Sequence, residues 1–146
     1  MKKILHFLTL LMLFLIACEA DPDVQGEDQN ILNDNFRGAW TVNASIIGED
    51  FMYGPFTITT QSTSNKDSLI ITDDNGFWVF QVKTAINVEN KTFVSQSSVN
   101  TKSTVGAKSK VDDGKVIGTD SISFNIQFED DETPYGYTYN IKGRRQ

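Results

Sequence analysis

The chain is poor in the residues that carry most protein chemistry. Its 146 residues hold one histidine, one cysteine and three prolines. A single cysteine excludes an intrachain disulfide, so stability must come from packing and backbone hydrogen bonds. His6 and Cys18 both lie near the amino terminus, and from Glu19 onward there is no imidazole and no thiol. That excludes Ser-His-Asp and Cys-His nucleophiles, and Cys/His zinc sites, from the rest of the chain. Basic residues are outnumbered, 13 against 19 acidic, for a net charge of −6. An acidic body repels nucleic acid and anionic head groups. No stretch keeps a helical period, and the one long apolar run, residues 4–16, is too short to span a bilayer. A hydrolase would be left with a carboxylate pair or a Ser-Lys dyad. Asp73, Asp74, Asp112, Asp113 and the acidic run 129–132 fall in turn-like sequence, where carboxylates are normally solvated. The sequence offers no catalytic residue, no metal-ligand set and no cofactor motif, and it leaves enzymatic activity open.

Lys2 and Lys3 precede the apolar run, which closes on Leu15-Ile16-Ala17-Cys18. A basic start, a short apolar stretch and a small residue before the cut describe a secretory signal. The ending resembles the lipobox of bacterial lipoproteins, which implies cleavage after Ala17 and acylation of Cys18. Residues 1–17 are thus expected to be a signal peptide. Residues 18–33, with Asp21, Pro22, Asp23, Gly26, Glu27 and Asp28, read as an acylated cysteine followed by a flexible acidic tether. Residues 34–146 are left for one domain, large enough to bury roughly two thirds of its unfolded surface. The expected address is the cell envelope, with the outer membrane favoured, on its periplasmic or surface face. Acyl chains, each worth about 0.8 kcal/mol per buried methylene, would make the membrane contact.

Beyond Asn33 the hydrophobic period becomes two. Trp40, Val42, Ala44 and Ile46 alternate with polar residues, as do Phe56 and Ile58, then Ile122, Phe124, Ile126 and Phe128, and finally Tyr135, Tyr137, Tyr139 and Ile141. Trp78, Phe80 and Val82 share one face of another such segment. Alternation marks strands with one buried and one wet face. Asn75-Gly76 and Asp113-Gly114 predict tight hairpins, Gly48-Glu49-Asp50, Asn65-Lys66-Asp67 and Asn90-Lys91 weaker turns, and residues 130–136 a longer connection. About eight strands in up-and-down order make an all-β antiparallel barrel, with a β-sandwich as the alternative. Residues 95–110 fit poorly, being rich in Ser, Thr and Lys; they suit a wet strand, an open seam or a flap.

Gly38-Ala39-Trp40 opens the first strand and Arg144-Arg145 closes the last. This pairing resembles the calycin group, which includes lipocalins, fatty-acid-binding proteins and avidins. In that group the indole plugs one end of the barrel and a cation from the last strand lies across it. Arg145 has the parity of Tyr139 and Ile141 and is preferred to Arg144, unless a bulge at Gly143 reverses the choice.

Five segments sharpen the likeness: 36–40, 53–58, 73–78, 114–117 and 141–145. They resemble the small bacterial envelope lipoproteins described as "lipid-binding putative hydrolase". The resemblance implies an eight-stranded calycin-like barrel with an apolar ligand. Trp78, Phe80, Phe124, Phe128, Tyr137 and Tyr139 are the candidate ligand-binding residues, and Gly38, Trp40, Arg144 and Arg145 the barrel-closing ones. The expected function is non-catalytic binding of a lipid or other small apolar molecule. The alternatives are a filled barrel that contacts an envelope protein or glycan, and a carboxylate-based hydrolase.

Overall fold

The computed structural model describes residues 34–64 and 67–146. The signal peptide and the tether expected before Asp34 lie outside them. Eight strands follow in order: β1 (Gly38–Ile46), β2 (Met52–Ser62), β3 (Ser68–Thr72), β4 (Gln81–Asn87), β5 (Thr92–Val99), β6 (Lys108–Ile117), β7 (Ser121–Phe128) and β8 (Tyr139–Arg145). Each pairs antiparallel with its sequence neighbours, and β1 pairs with β8 from Trp40↔Arg145 to Ile46↔Tyr139. The sheet is therefore a closed up-and-down barrel rather than a sandwich, and closure removes both sheet edges.

The alternation read from sequence places the core. Trp40, Val42, Ala44, Ile58, Leu69, Ile71, Phe93, Phe124, Ile126, Phe128 and Ile141 are buried on the inner face. Strand polarity then defines two ends. The chain enters at Gly38 and leaves at Arg145 at one end. The loops 47–51, 73–80, 100–107 and 129–138 all project from the other.

Three local expectations are corrected. Asp112-Asp113-Gly114 is not a hairpin turn but a bulge inside β6, where Asp113 has φ 49° and the register with β7 shifts between Asp112 and Lys115. Positive φ serves a bulge as well as a turn. The bulge flips strand parity, so Ser109 and Val111 face inward before it and Gly114 and Val116 after it. A side chain at Gly114 would collide with Phe93.

Asn75-Gly76 likewise makes no tight hairpin. Residues 73–80 form a loop, so Trp78 and Phe80 precede β4 instead of lying in it. Tyr135 and Tyr137 also fall outside a strand. Tyr135 has φ 55°, donates its N–H to Phe128 O, and accepts from Gln127 Nε2 at its carbonyl, so β8 begins only at Tyr139.

Residues 95–110 resolve into the wet end of β5, the loop 100–107 and the start of β6, all within the continuous sheet. Asn100 pins that loop. Its N–H donates to Ala107 O, and its Oδ1 accepts from the N–H groups of Gln81 and Lys102.

Candidate functional site

The end carrying the chain termini is sealed. Trp40 is fully buried, and its Nε1 donates to Thr60 Oγ1 at 2.8 Å. Thr60 Oγ1 in turn donates to Phe36 O, and the Phe36 ring meets Phe93 edge-on at 6.4 Å. The Arg145 guanidinium lies 4.3 Å from the Trp40 ring centroid. Its Nε donates to Thr119 O at 2.8 Å, its Nη2 to Asn35 O at 2.7 Å, and its Nη1 to Arg37 O. Gly38, at φ 154°, leaves the space this fork needs, because a Cβ there would stand 2.6 Å from Arg145 Nη1. Arg144 pairs with Thr41 in the closing ladder, but its side chain takes no part in the seal. It faces outward and pairs with Asp120 at 2.9 Å, both side chains being largely exposed. One residue's difference in parity separates the two roles.

The opposite end is where exposed apolar surface collects. Ile47, Phe51, Met52, Tyr53, Val79, Val99 and Val105 rim it; among the described residues only Val94 and Ile117 are comparable elsewhere. Beneath the rim, aromatic rings descend into the bore. Tyr53 contacts Phe77 at 5.3 Å, Phe77 stacks on Phe56 at 5.6 Å and meets Tyr139 edge-on at 5.1 Å. Trp78 stacks on Phe128 at 4.7 Å with planes 16° apart, and Phe128 touches Phe80 at 5.7 Å.

Of the candidate ligand-binding residues, Phe80, Phe124 and Phe128 are fully buried and Tyr139 nearly so, whereas Trp78 and Tyr137 are half-buried. Phe124 packs lower, on Phe93 at 5.7 Å, while Tyr137 lies 6.3 Å from Tyr139 near the mouth. Tyr53, Phe56 and Phe77 belong to the same cluster and were missed by pattern reading. The adjacency of Phe77 to Trp78 was the available signal.

The half-buried rings Phe77 and Trp78 sit on a loop, and one carboxylate shapes that loop. Asp73 was expected to be a solvated turn residue, yet it is fully buried. Its Oδ1 accepts from Gly76 N at 2.6 Å, and its Oδ2 from Phe77 N, Trp78 N and Val79 N at 2.6, 3.0 and 3.1 Å. Val79, at φ 51°, completes the turn. These N–H groups would otherwise be orphaned, so the charged acceptor substitutes for a sheet ladder.

Beside the loop, β2 pairs with β3 only over Thr59–Ser62, and the half of β2 nearer the mouth has no strand on that side. A groove of about 420 Å³, lined by Tyr53, Phe56, Thr57, Thr72 and Gly76 among others, follows that gap. It is bridged by Tyr53 Oη donating to Gly76 O at 2.6 Å. A second concavity, about 460 Å³, lies on the outer face around Ile117, Lys142 and Arg144.

Three further acidic groups near the loops and the bulge are engaged locally. Asp74 pairs with Lys102, Asp113 accepts from Asn125 Nδ2, and Glu129 accepts from the Lys108 N–H. Among the described residues no three His, Cys, Asp or Glu side chains gather in a metal-holding group.

Asp131, nearly buried, accepts from Tyr139 Oη at 2.9 Å. Burial, then the bond to Asp131 and its negative charge, push the Tyr139 phenol well above its ordinary 10.0, while a hydrogen bond with Trp78 opposes them. The unfolded chain therefore gives up this proton first. Stability present below about pH 10 should be lost as pH rises above it. Tyr139→Phe is expected to flatten that alkaline loss in a melting series, at a cost of about 1–2 kcal/mol at pH 7. An unchanged alkaline profile would contradict the assignment.

A closed eight-stranded antiparallel barrel, stoppered by an indole and a guanidinium at one end and by loop-borne aromatics at the other, belongs to the class of small barrels whose interior is filled by side chains or holds one small ligand. Residues 26–146 match the family described as "lipid-binding putative hydrolase", and the chain belongs to it. No curated protein matches the chain.

Proposed function

We propose that this protein is a non-catalytic lipid-binding lipoprotein of the cell envelope, taking an apolar chain into the loop-bearing end of its barrel. The observation that carries the reading is the position of Phe77 and Trp78. They fill the upper bore, yet they hang on a loop rather than on the sheet. A loop can move without breaking the barrel, and its two rings cover the apolar surface that an acyl chain would cover in their place. The apolar rim supplies the approach, and the gap between β2 and β3 gives the loop room. Engagement of Asp73, Asp74, Asp113 and Glu129 in local bonds supports the non-catalytic part.

The lipobox-like ending and Cys18, outside the described residues, support the anchoring part. Acylation of Cys18 would tie the barrel to a membrane, with the outer membrane as the proposed site. Loss of a labelled palmitate analogue on Cys18→Ser tests it; a labelled variant would refute it.

For binding, the chain from Glu19 onward is expected to retain a lipid on native mass spectrometry, and laurate esters should shift Trp78 emission. The bore is well filled, which also suits a module that docks an envelope protein or glycan through the rim. A clean apo mass with no emission change would favour that second reading.

A further inference from the structure

Ser109 is fully buried, and its Oγ is the one buried side-chain polar atom without a hydrogen-bond partner among the described residues. Three other buried polar side chains are served. Thr60 donates to Phe36 O, Thr84 donates to Leu69 O, and Asp131 holds Tyr139. A buried hydroxyl with no partner is costly, and such a group in a native core calls for an explanation.

Its position suggests one. Ser109 lies second from the mouth end of β6, inward-facing, and its cross-strand partner on β7 is Phe128. Phe128 is the ring on which Trp78 stacks. The hydroxyl therefore stands beside the residue that holds the displaceable indole.

We propose that Ser109 Oγ is the polar contact for the bound lipid, and that this lipid is an uncharged amphiphile bearing a hydroxyl or ester oxygen. Its chain takes the slot of Trp78 against Phe128, and its oxygen pairs with Ser109. The inference rests on the lipid-binding reading and specifies its ligand. Charge selects against an ionised head. The mouth loops carry Glu49, Asp50, Asp73, Asp74, Glu129, Asp130, Asp131 and Glu132, whereas of the nearby lysines Lys102 is engaged by Asp74, Lys110 lies over the Tyr135 ring, and Lys108 is exposed on the outer face. A single hydroxyl cannot repay the desolvation of a carboxylate.

The test is titration of the chain from Glu19 onward with 1-dodecanol and with laurate at pH 8, followed by Trp78 emission. The wild type is expected to bind dodecanol at least about tenfold more tightly than laurate. Ser109→Ala should lose about tenfold for dodecanol, the factor one neutral hydrogen bond supplies. Its melting temperature should stay level or rise, since an unpartnered hydroxyl has been removed. Ser109→Thr, which keeps the hydroxyl, should restore binding.

Equal dodecanol affinity in Ser109→Ala, laurate binding as tight as dodecanol, or a marked fall in melting temperature would each overturn the proposal while leaving lipid binding intact. If the wild type binds neither compound, nor retains any lipid on native mass spectrometry, the lipid-binding reading falls with it.

Discussion

Asp73→Ala is expected to lower the unfolding free energy by about 3 kcal/mol, read as a lower urea midpoint, with red-shifted Trp78 emission. The carboxylate is fully buried and accepts four backbone N–H groups from residues 76–79. Alanine would leave all four donors without it, and water could reach only those nearer the surface. Asp73→Asn should do part of that damage, because its Oδ1 can still accept from residues 77–79 while its NH₂ faces the Gly76 N–H and the negative charge is lost. The chain has two tryptophans, so the readout separates the two ends of the barrel. Trp78 emission should move while Trp40, at the sealed end, stays put. Freed of its anchor, the loop should also admit an apolar probe more quickly. An unmoved midpoint and spectrum would show that the carboxylate does not hold the loop.

At the sealed end the largest effect is expected from Arg145→Ala, about 2 kcal/mol, with altered Trp40 emission. Three carbonyl oxygens and one indole face share that guanidinium. Arg144→Ala should change stability by no more than about 0.5 kcal/mol, since its pairing with Asp120 is screened by solvent. Arg145→Lys should recover the charge over the ring but not the planar fork, and so rescue only in part. Chemical denaturation of the three variants decides the matter. Equal losses at 144 and 145, or complete rescue by lysine, would contradict the geometry.

Much of the barrel was legible because each strand places one face against the core and the other against water. β1 and β7 show the alternation plainly, and Arg145 shares the parity of Ile141. What misled was backbone chemistry with two uses. Asp113-Gly114 suits a hairpin or a bulge equally. Only the contact between Gly114 and Phe93, residues far apart in sequence, selects the bulge. Asp73 read as a wet turn carboxylate because no local pattern reveals four N–H groups folding back onto one side chain. Ser109 was hidden in a polar stretch, and the parity flip at the β6 bulge obscured the face it occupies.

By itself the sequence determined an all-β domain with an aromatic interior, because side-chain periodicity is a local property. It also excluded imidazole and thiol chemistry from everything after Cys18, which follows from composition alone. Closure of the sheet, the seating of Arg145 on Trp40, the loop that carries Phe77 and Trp78 into the bore, and the partnerless hydroxyl of Ser109 were decided only by the tertiary structure. Each depends on distances between groups that the chain separates widely and the barrel brings together.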